Sequence, residues 1–334
     1  MAHHALITCL SGNDQCEMFL HFLGLIIGFI LLIKGADFFV DGSSSTAKNF
    51  KVSKMLIGLT IIAFGTSAPE FAISMQALRE GSTDMVLGNV IGSCIMNTLL
   101  ILGIAAVIRP INIQNNTVKK ELPLTLLISS LLSVLFLDIS LGSGNSNEIT
   151  RSDAVVILLF FTIFLYYLIN LARKKKELNE EEKPEFGLFK SLIFIVIGLV
   201  GIIFGSNFVV NNATEIAYEL GLSERIIALT IIAFGTSLPE LITTIVSSKK
   251  GEQDLLIGNI IGSNIFNICI VLGIPVAIYG TITPSSFQMI DIIMLIGSSI
   301  ALFIFAESAR KISKLEGVLM LMAFAIYYTL VFVI

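Results

Sequence analysis

Two carboxylates, Glu70 and Glu240, each follow a proline inside a long apolar stretch of this 334-residue chain. The run before them is the same in both places. Leu59-Thr-Ile-Ile-Ala-Phe-Gly-Thr-Ser67 recurs letter for letter from Leu229 to Ser237, and one variable residue separates each copy from Pro69-Glu70 or Pro239-Glu240. An ionised carboxylate at the bilayer centre costs about 2.5–3.5 kcal/mol or more, so a duplicated one points to function. The proline removes a backbone donor and clashes with the carbonyl four residues earlier. In the first copy that carbonyl belongs to Gly65, and the helix is expected to loosen from Gly65 to Ser67. Ala63, Thr66, Ser67 and Glu70 then share one helix face. Ala233, Thr236, Ser237 and Glu240 repeat that face.

A second polar stripe follows each copy. Asn89, Ser93 and Asn97 stand four residues apart, and Asn259, Ser263 and Asn267 match them. Gly88, Gly92, Gly258 and Gly262 lie beside the stripes and are expected to permit close helix approach. Small polar residues of this kind often serve packing alone, and an isolated Ser93 or Gly88 would be read so. Two Pro-Glu breaks at matching positions are not explained by packing. The repeated set holds carboxylates and neutral oxygens, with no His and no thiolate, which suits Ca²⁺ or Na⁺ rather than Zn²⁺ or Cu⁺. One Ca²⁺ or several Na⁺ could neutralise the pair. Both would need the same two Glu residues, so they should exclude each other, and an empty, doubly negative site should resist occlusion. That is a physical basis for antiport.

The elements that must position these residues are membrane helices. The chain is 55% hydrophobic and only 14% charged, whereas soluble domains carry about a quarter charged residues. Ten spans are expected, near 19–40, 54–78, 85–108, 122–138, 153–172, 189–210, 225–248, 254–279, 288–306 and 315–334, all within or near the range of lengths that cross a bilayer. The loops between them split the basic residues 17 to 3, with Lys34 inside the first span. By the positive-inside rule, the basic loops, including 173–188, face the cytoplasm and both termini lie outside.

The chain is an internal duplication with an offset of 170 residues: Gly35 matches Gly205, Gly88-Asn89 matches Gly258-Asn259, and Leu102-Gly103 matches Leu272-Gly273. Five spans per half make the repeats inverted, a plan common among secondary transporters. The expected fold is therefore an all-α polytopic membrane protein of ten transmembrane helices in two inverted five-helix repeats. Its divisions are an extension over 1–17, with Met18 an alternative start; a first repeat over 18–172 with its motif at 58–103; a cytoplasmic linker over 173–188; and a second repeat over 189–334 with its motif at 228–273. The acidic run Glu180-Glu-Glu182 reads as solvated linker and the 142–153 loop as flexible. Lys34 and Asp37 read as a structural pair, Asp84 and Asp254 as residues capping helix N-termini. Cys94 and Cys269 read as buried packing residues, while Cys9 and Cys16 could pair outside.

Gly-Thr-Ser-x-Pro-Glu followed by Gly-Asn-x-x-Gly-Ser-x-x-x-Asn, twice in inverted halves, resembles the alpha repeats of the calcium/cation antiporter superfamily, most closely its prokaryotic sodium/calcium exchanger branch. The resemblance covers Met18 to Ile334. It implies alternating-access exchange of Ca²⁺ for Na⁺ with no cofactor. Its ion ligands would be Ala63, Thr66, Ser67, Glu70, Ser93 and Asn97 together with Ala233, Thr236, Ser237, Glu240, Ser263 and Asn267. It also implies that the first and sixth helices slide across the rest. Some relatives, especially potassium-dependent ones, carry Asp where Asn267 stands, and proton/calcium exchangers typically have Gly-Asn ahead of their Glu where this chain has Gly-Thr-Ser. Both departures favour Na⁺ coupling without K⁺, and Ca²⁺/H⁺ and K⁺-dependent Na⁺/Ca²⁺ exchange are the alternatives.

An enzyme is not expected: a zinc protease would need His-Glu-x-x-His, and the three histidines are His3, His4 and His21. A cation channel could use the same oxygens, but would pass ions without a counter-ion gradient. The expected setting is a bacterial or archaeal cell membrane. The partners are lipid and the two ions, with no nucleic acid. A monomer is expected because the ion site is complete in one chain.

Overall fold

A computed structural model describes residues 14–141, 146–173, 183–221, 231, 233–284 and 289–333. The acidic run Glu180 to Glu182, Cys9, most of the extension, the tip of the 142–153 loop and the start of the second motif lie outside them.

The chain is a bundle of long helices. α1 (Asp14–Phe50) and a bent pair, α2 (Lys54–Thr66) and α3 (Ala68–Arg79), lead into α4 (Thr83–Ile108), α5 (Leu122–Phe136) and α6 (Arg151–Arg173). After the linker come α7 (Leu188–Glu219), the short α8 (Ala233–Thr236), α9 (Leu238–Lys250), α10 (Gln253–Tyr279), α11 (Met289–Ala309) and α12 (Lys314–Val333). Among the described residues seven helices are long and apolar enough to cross a membrane, and the α2/α3 pair makes an eighth. The protein is a multi-pass membrane protein. Of the other two expected spans, α5 is a 15-residue helix preceded by one π-helical turn, and the seventh is described only from Ala233 apart from Ile231.

Burial separates centre from rim. In the apolar windows of α4 and α10, 72% and 78% of residues are buried, against 22% in α1. Those two helices carry the polar stripes, so the stripes run through the middle of the bundle. At the rim, Phe19, Ile26 and Ile30 of α1 and Phe189, Val196 and Phe204 of α7 are exposed, as a lipid-facing surface requires.

α1 and α7 pack backbone to backbone. Gly28, Gly35 and Gly42 recur every seven residues, about two helical turns, and face Gly205, Gly198 and Ser191. A Cβ built on Gly35 would lie 2.8 Å from the Gly198 carbonyl oxygen, one on Gly198 2.7 Å from that of Gly35, and one on Gly205 2.8 Å from that of Gly28. Small residues let membrane helices gain contact at this range.

Among the described residues, contacts between connecting segments join loops that the charge count groups on one side. Ile111-Asn112 pairs antiparallel with Lys311-Ile312. Ile149 bridges Ile282 on the other face. Lys250 Nζ lies 2.7 Å from Asp41 Oδ1 and 3.3 Å from Asp37 Oδ1. Lys54 Nζ lies 2.6 Å from Glu252 Oε2, and the Ser44 hydroxyl donates to Glu252 Oε1 at 2.9 Å. These contacts tie α1 and α2 to the α9–α10 turn. Asp37 therefore has a closer partner than Lys34, which stands 4.0 Å away and is largely exposed.

Other expectations are met in modified form. Cys94 and Cys269 are free and buried. Asp84 and Asp254 are not the capping residues, which are Ser82 and Glu252; the aspartates sit two residues further on, in the first turns of α4 and α10, and Gln114 donates to Asp254 at 2.7 Å. The glycine expectation holds in the second half only. A Cβ on Gly258 or Gly262 would stand within 3 Å of α2 atoms, whereas one on Gly88 or Gly92 meets nothing within 4 Å. Gly58 of α2 supplies the close approach instead, and a Cβ there would stand 2.9 Å from Gly258 Cα.

A duplicated pin was not legible in the sequence. Tyr167 donates to Glu121 Oε1, and Tyr327 donates to Asp291 Oδ1 at 2.7 Å. Asp291 follows Glu121 by the repeat offset of 170. The pins join α6 to the turn before α5 and α12 to α11. Ser299 and Ser129, also matching positions, meet at 3.3 Å.

Candidate cation site

Both expected breaks are present, each confined to one residue. α2 and α3 are bent by 45°. Ser67 (φ −84°, ψ 4°) and Ser237 (φ −90°, ψ 5°) leave helical geometry at the last letter of the repeated run. The proline follows two residues later, at the start of the next helix, where its missing N–H would be unpaired in any case. Glu70 and Glu240 fall in that helix's first turn, where the backbone dipole favours an anion.

The carbonyl that the second proline frees has a partner. It belongs to Gly235, and the Ser206 hydroxyl of α7 donates to it at 2.9 Å. The residue matching Ser206 in the first half is Ala36, which has no hydroxyl. Ser206→Ala should leave a buried acceptor unpaired and cost about 1–3 kcal/mol. A thermal melt of the purified variant checks this, and an unchanged midpoint would contradict it.

The two breaks meet in the bundle centre. Glu70 and Glu240 are 1% and 0% exposed. Each receives a hydrogen bond from the serine of the other half: Ser67 Oγ donates to Glu240 Oε1 at 3.1 Å, and Ser237 Oγ to Glu70 Oε1 at 3.5 Å. Thr66 and Ser263 also face the Glu240 carboxylate. Thr66 Oγ1 lies 3.1 Å from Asn259 Oδ1, and Ser263 Oγ 3.5 Å from the same atom. Thus Thr66, Ser67 and Ser263 gather on Glu240 and Ser237 on Glu70, two bonded groups drawn from both halves whose carboxylates lie within electrostatic reach of each other.

The remaining expected residues surround it less directly. Ala63 is buried, and its carbonyl accepts from the Ser67 N–H at 3.0 Å. Ser93 is buried on α4, one turn before Asn97. Thr236 ends α8, and Ala233 begins it. Asn97 and Asn267 are fully buried, and each lies at the start of a π-helical turn, Met96–Ile101 covering the first and Asn267–Leu272 the second. A further π turn, Gly58–Ile62, precedes the first break. π turns concentrate at functional sites, but nothing in the residue types announced these.

Several atoms in this centre have no hydrogen-bond partner: Glu70 Oε2, Glu240 Oε2, Asn97 Oδ1, Thr243 Oγ1 and both amide atoms of Asn267. Buried polar atoms are otherwise almost always paired. Two carboxylates and neutral oxygens in one buried centre form the donor set of a hard cation. Among the described residues no three His, Cys, Asp or Glu side chains cluster.

Asn89 and Asn259 have a different task from the rest of their stripes. Asn89 Nδ2 donates to the Glu70 carbonyl at 3.1 Å and to Ser74 Oγ at 3.0 Å; Asn259 Nδ2 donates to Thr244 Oγ1 at 3.2 Å. They brace the Glu-bearing helices. Ser74 and Thr244 match across the 170 offset, so the offset could have found them.

The family model described as sodium/calcium exchanger protein matches residues 20–170 and 190–333. The chain belongs to this family. It is 37% identical over 318 residues to the putative antiporter CaxA of Alkalimonas amylolytica, covering 92% of this chain and 97% of that protein. It is 30% identical to the sodium/calcium exchanger MaX1 of Methanosarcina acetivorans, covering 94% of this chain and 99% of that one. Its fold is similar to a solved structure of the sodium-calcium exchanger NCX_Mj soaked with Na⁺, with a TM-score of 0.81, 32% identity, and coverage of 95% of this chain and 99% of that one.

Proposed function

We propose that this protein exchanges Ca²⁺ for Na⁺ across a cell membrane by alternating access, with both ions using one buried oxygen site. The crossed Ser67–Glu240 and Ser237–Glu70 contacts carry this reading, because they bring the carboxylates of both halves to a single place. Family membership and the named relatives support it.

The ligands are Thr66, Ser67, Glu70, Ser93 and Asn97 with Thr236, Ser237, Glu240, Ser263 and Asn267, and the backbone carbonyls of Ala63 and Ala233. Ca²⁺ takes six to eight oxygens, and the two carboxylates match its charge. Na⁺ ions occupying the same oxygens displace it. Moving the empty pair of charges through the closed state is costly, so the protein changes sides when loaded. Its architecture is ten membrane helices in two inverted repeats, 18–172 and 189–334. The termini are outside, the 173–188 linker is in the cytoplasm, and the monomer is the working unit. The α1/α7 pair, joined along its glycine seam and exposed on its outer side, is the body that moves against the centre.

Purified protein in vesicles, with Na⁺, K⁺ and H⁺ gradients imposed separately, tests this. Ca²⁺ uptake driven by an outward Na⁺ gradient alone is expected. Uptake driven only by H⁺, a requirement for K⁺, or Ca²⁺ flux without any counter-ion gradient would replace the reading with proton exchange, potassium-dependent exchange or a channel.

A further inference from the structure

The two halves match at Asn97 and Asn267, yet the structure treats these asparagines differently. Asn97 Nδ2 donates to Asn264 Oδ1 at 3.2 Å, and Asn264 Nδ2 donates to Thr98 Oγ1 at 2.9 Å. All three side chains are buried. Asn267 has neither amide atom bonded. The repeat offset explains the difference. The positions matching Asn264 and Thr98 are Cys94 and Ile268. Neither carries an amide or a hydroxyl, so no equivalent relay can form around Asn267.

An asparagine can present either of two opposite faces to a cation, an oxygen that binds it or an NH₂ group that repels it. With Asn264 Nδ2 engaged by Thr98, its oxygen faces Asn97 and takes up the Asn97 NH₂. The Asn97 oxygen is then the atom left unpaired. Groups that bond to a ligand without touching the ion fix its orientation, and losing one typically weakens metal affinity by about 10–100-fold.

We propose that Asn264, held by Thr98, is a positioning residue that turns the carbonyl oxygen of Asn97 toward the bound cation, while Asn267 is left to turn freely. This inference rests on the exchange reading above. It makes the first half the pre-oriented side of the site and the second half the adjustable side.

The test uses four proteins: the unmodified chain, Thr98→Val, Thr98→Ser and Asn264→Leu. Ca²⁺ binding by calorimetry and the half-saturating Ca²⁺ concentration of Na⁺-driven uptake are both measured. Thr98→Val removes the acceptor with little change of shape, and Thr98→Ser keeps it. Thr98→Val and Asn264→Leu are expected to weaken Ca²⁺ binding and raise the half-saturating concentration about tenfold, with a much smaller change in maximal rate. Thr98→Ser is expected to match the unmodified chain. If Asn264→Leu fails to fold, the valine and serine variants decide the matter between them. Equal affinity in those two, or a loss confined to maximal rate, would overturn the relay. Ca²⁺ binding with no Na⁺-driven uptake by the unmodified chain would overturn the exchange reading and leave the relay to be judged by calorimetry. No Ca²⁺ binding by the unmodified chain would overturn both.

Discussion

Glu70→Gln and Glu240→Gln should each abolish Na⁺-driven Ca²⁺ uptake, slowing it by at least about 100-fold, while leaving the protein folded. Each variant keeps the shape of the side chain and one oxygen that can accept from Ser237 or Ser67. What it removes is half of the charge facing a divalent ion in a buried centre. Unpairing a buried charge costs roughly 3–5 kcal/mol, which is more than two powers of ten in affinity. Stability should move the other way. Each Glu is a buried carboxyl with one oxygen unpaired, and Gln takes away the cost of holding a charge there. In ion-free buffer the Gln variants should therefore melt no lower than the unmodified chain. They should also lose the rise in melting temperature that Ca²⁺ gives a protein binding it only when folded. Tracer uptake into vesicles and thermal melts with and without Ca²⁺ measure these effects. Unaltered uptake in either variant would remove that glutamate from the site.

The second large effect is steric. Gly58→Leu and Gly258→Leu should prevent assembly of the bundle. The two glycines meet where α2 crosses α10: a Cβ on Gly58 would stand 2.7 Å from the Leu255 carbonyl oxygen, and one on Gly258 2.8 Å from that of Met55. The obstructing atoms are backbone, so no rotamer change relieves the clash. Overpacking against side chains costs about 1–3 kcal/mol, and a helix backbone yields less readily. Gly88→Ala and Gly92→Ala, whose added carbons meet nothing within 4 Å, should behave as the unmodified chain. Size-exclusion profiles of all four in detergent check the contrast. A monodisperse Gly258→Leu protein, or an aggregated Gly88→Ala protein, would contradict it.

What the residues disclosed was mostly what the duplication repeats. A proline two residues after a repeated serine, with glutamate next, declares a helix break and a buried charge without reference to the rest of the chain. The bonding of Ser67 to Glu240 rather than to Glu70 could not be read this way, because it depends on how two helices far apart in sequence cross. Gly88 and Gly258 look alike in the sequence, and only the second touches a neighbouring backbone. Symmetry also concealed what is not symmetric. Asn264, Thr98 and Ser206 have no polar match at Cys94, Ile268 and Ala36, so a search for repeated residues passes over them. The seven-residue glycine seam of α1 stands in the sequence as a regular spacing. It has no meaning there until α7 is seen beside it.

That seam bears on how the protein is made. α1 leaves the ribosome before α7, with a face of Gly28, Gly35 and Gly42 shaped for another helix's backbone. The partner Gly198 is encoded 163 residues after Gly35. At about 5–20 residues per second, the first helix waits roughly ten to thirty seconds in the membrane with its groove facing lipid. The two halves thus depend on each other during synthesis as well as in the finished site, and neither completes its own packing until the other arrives.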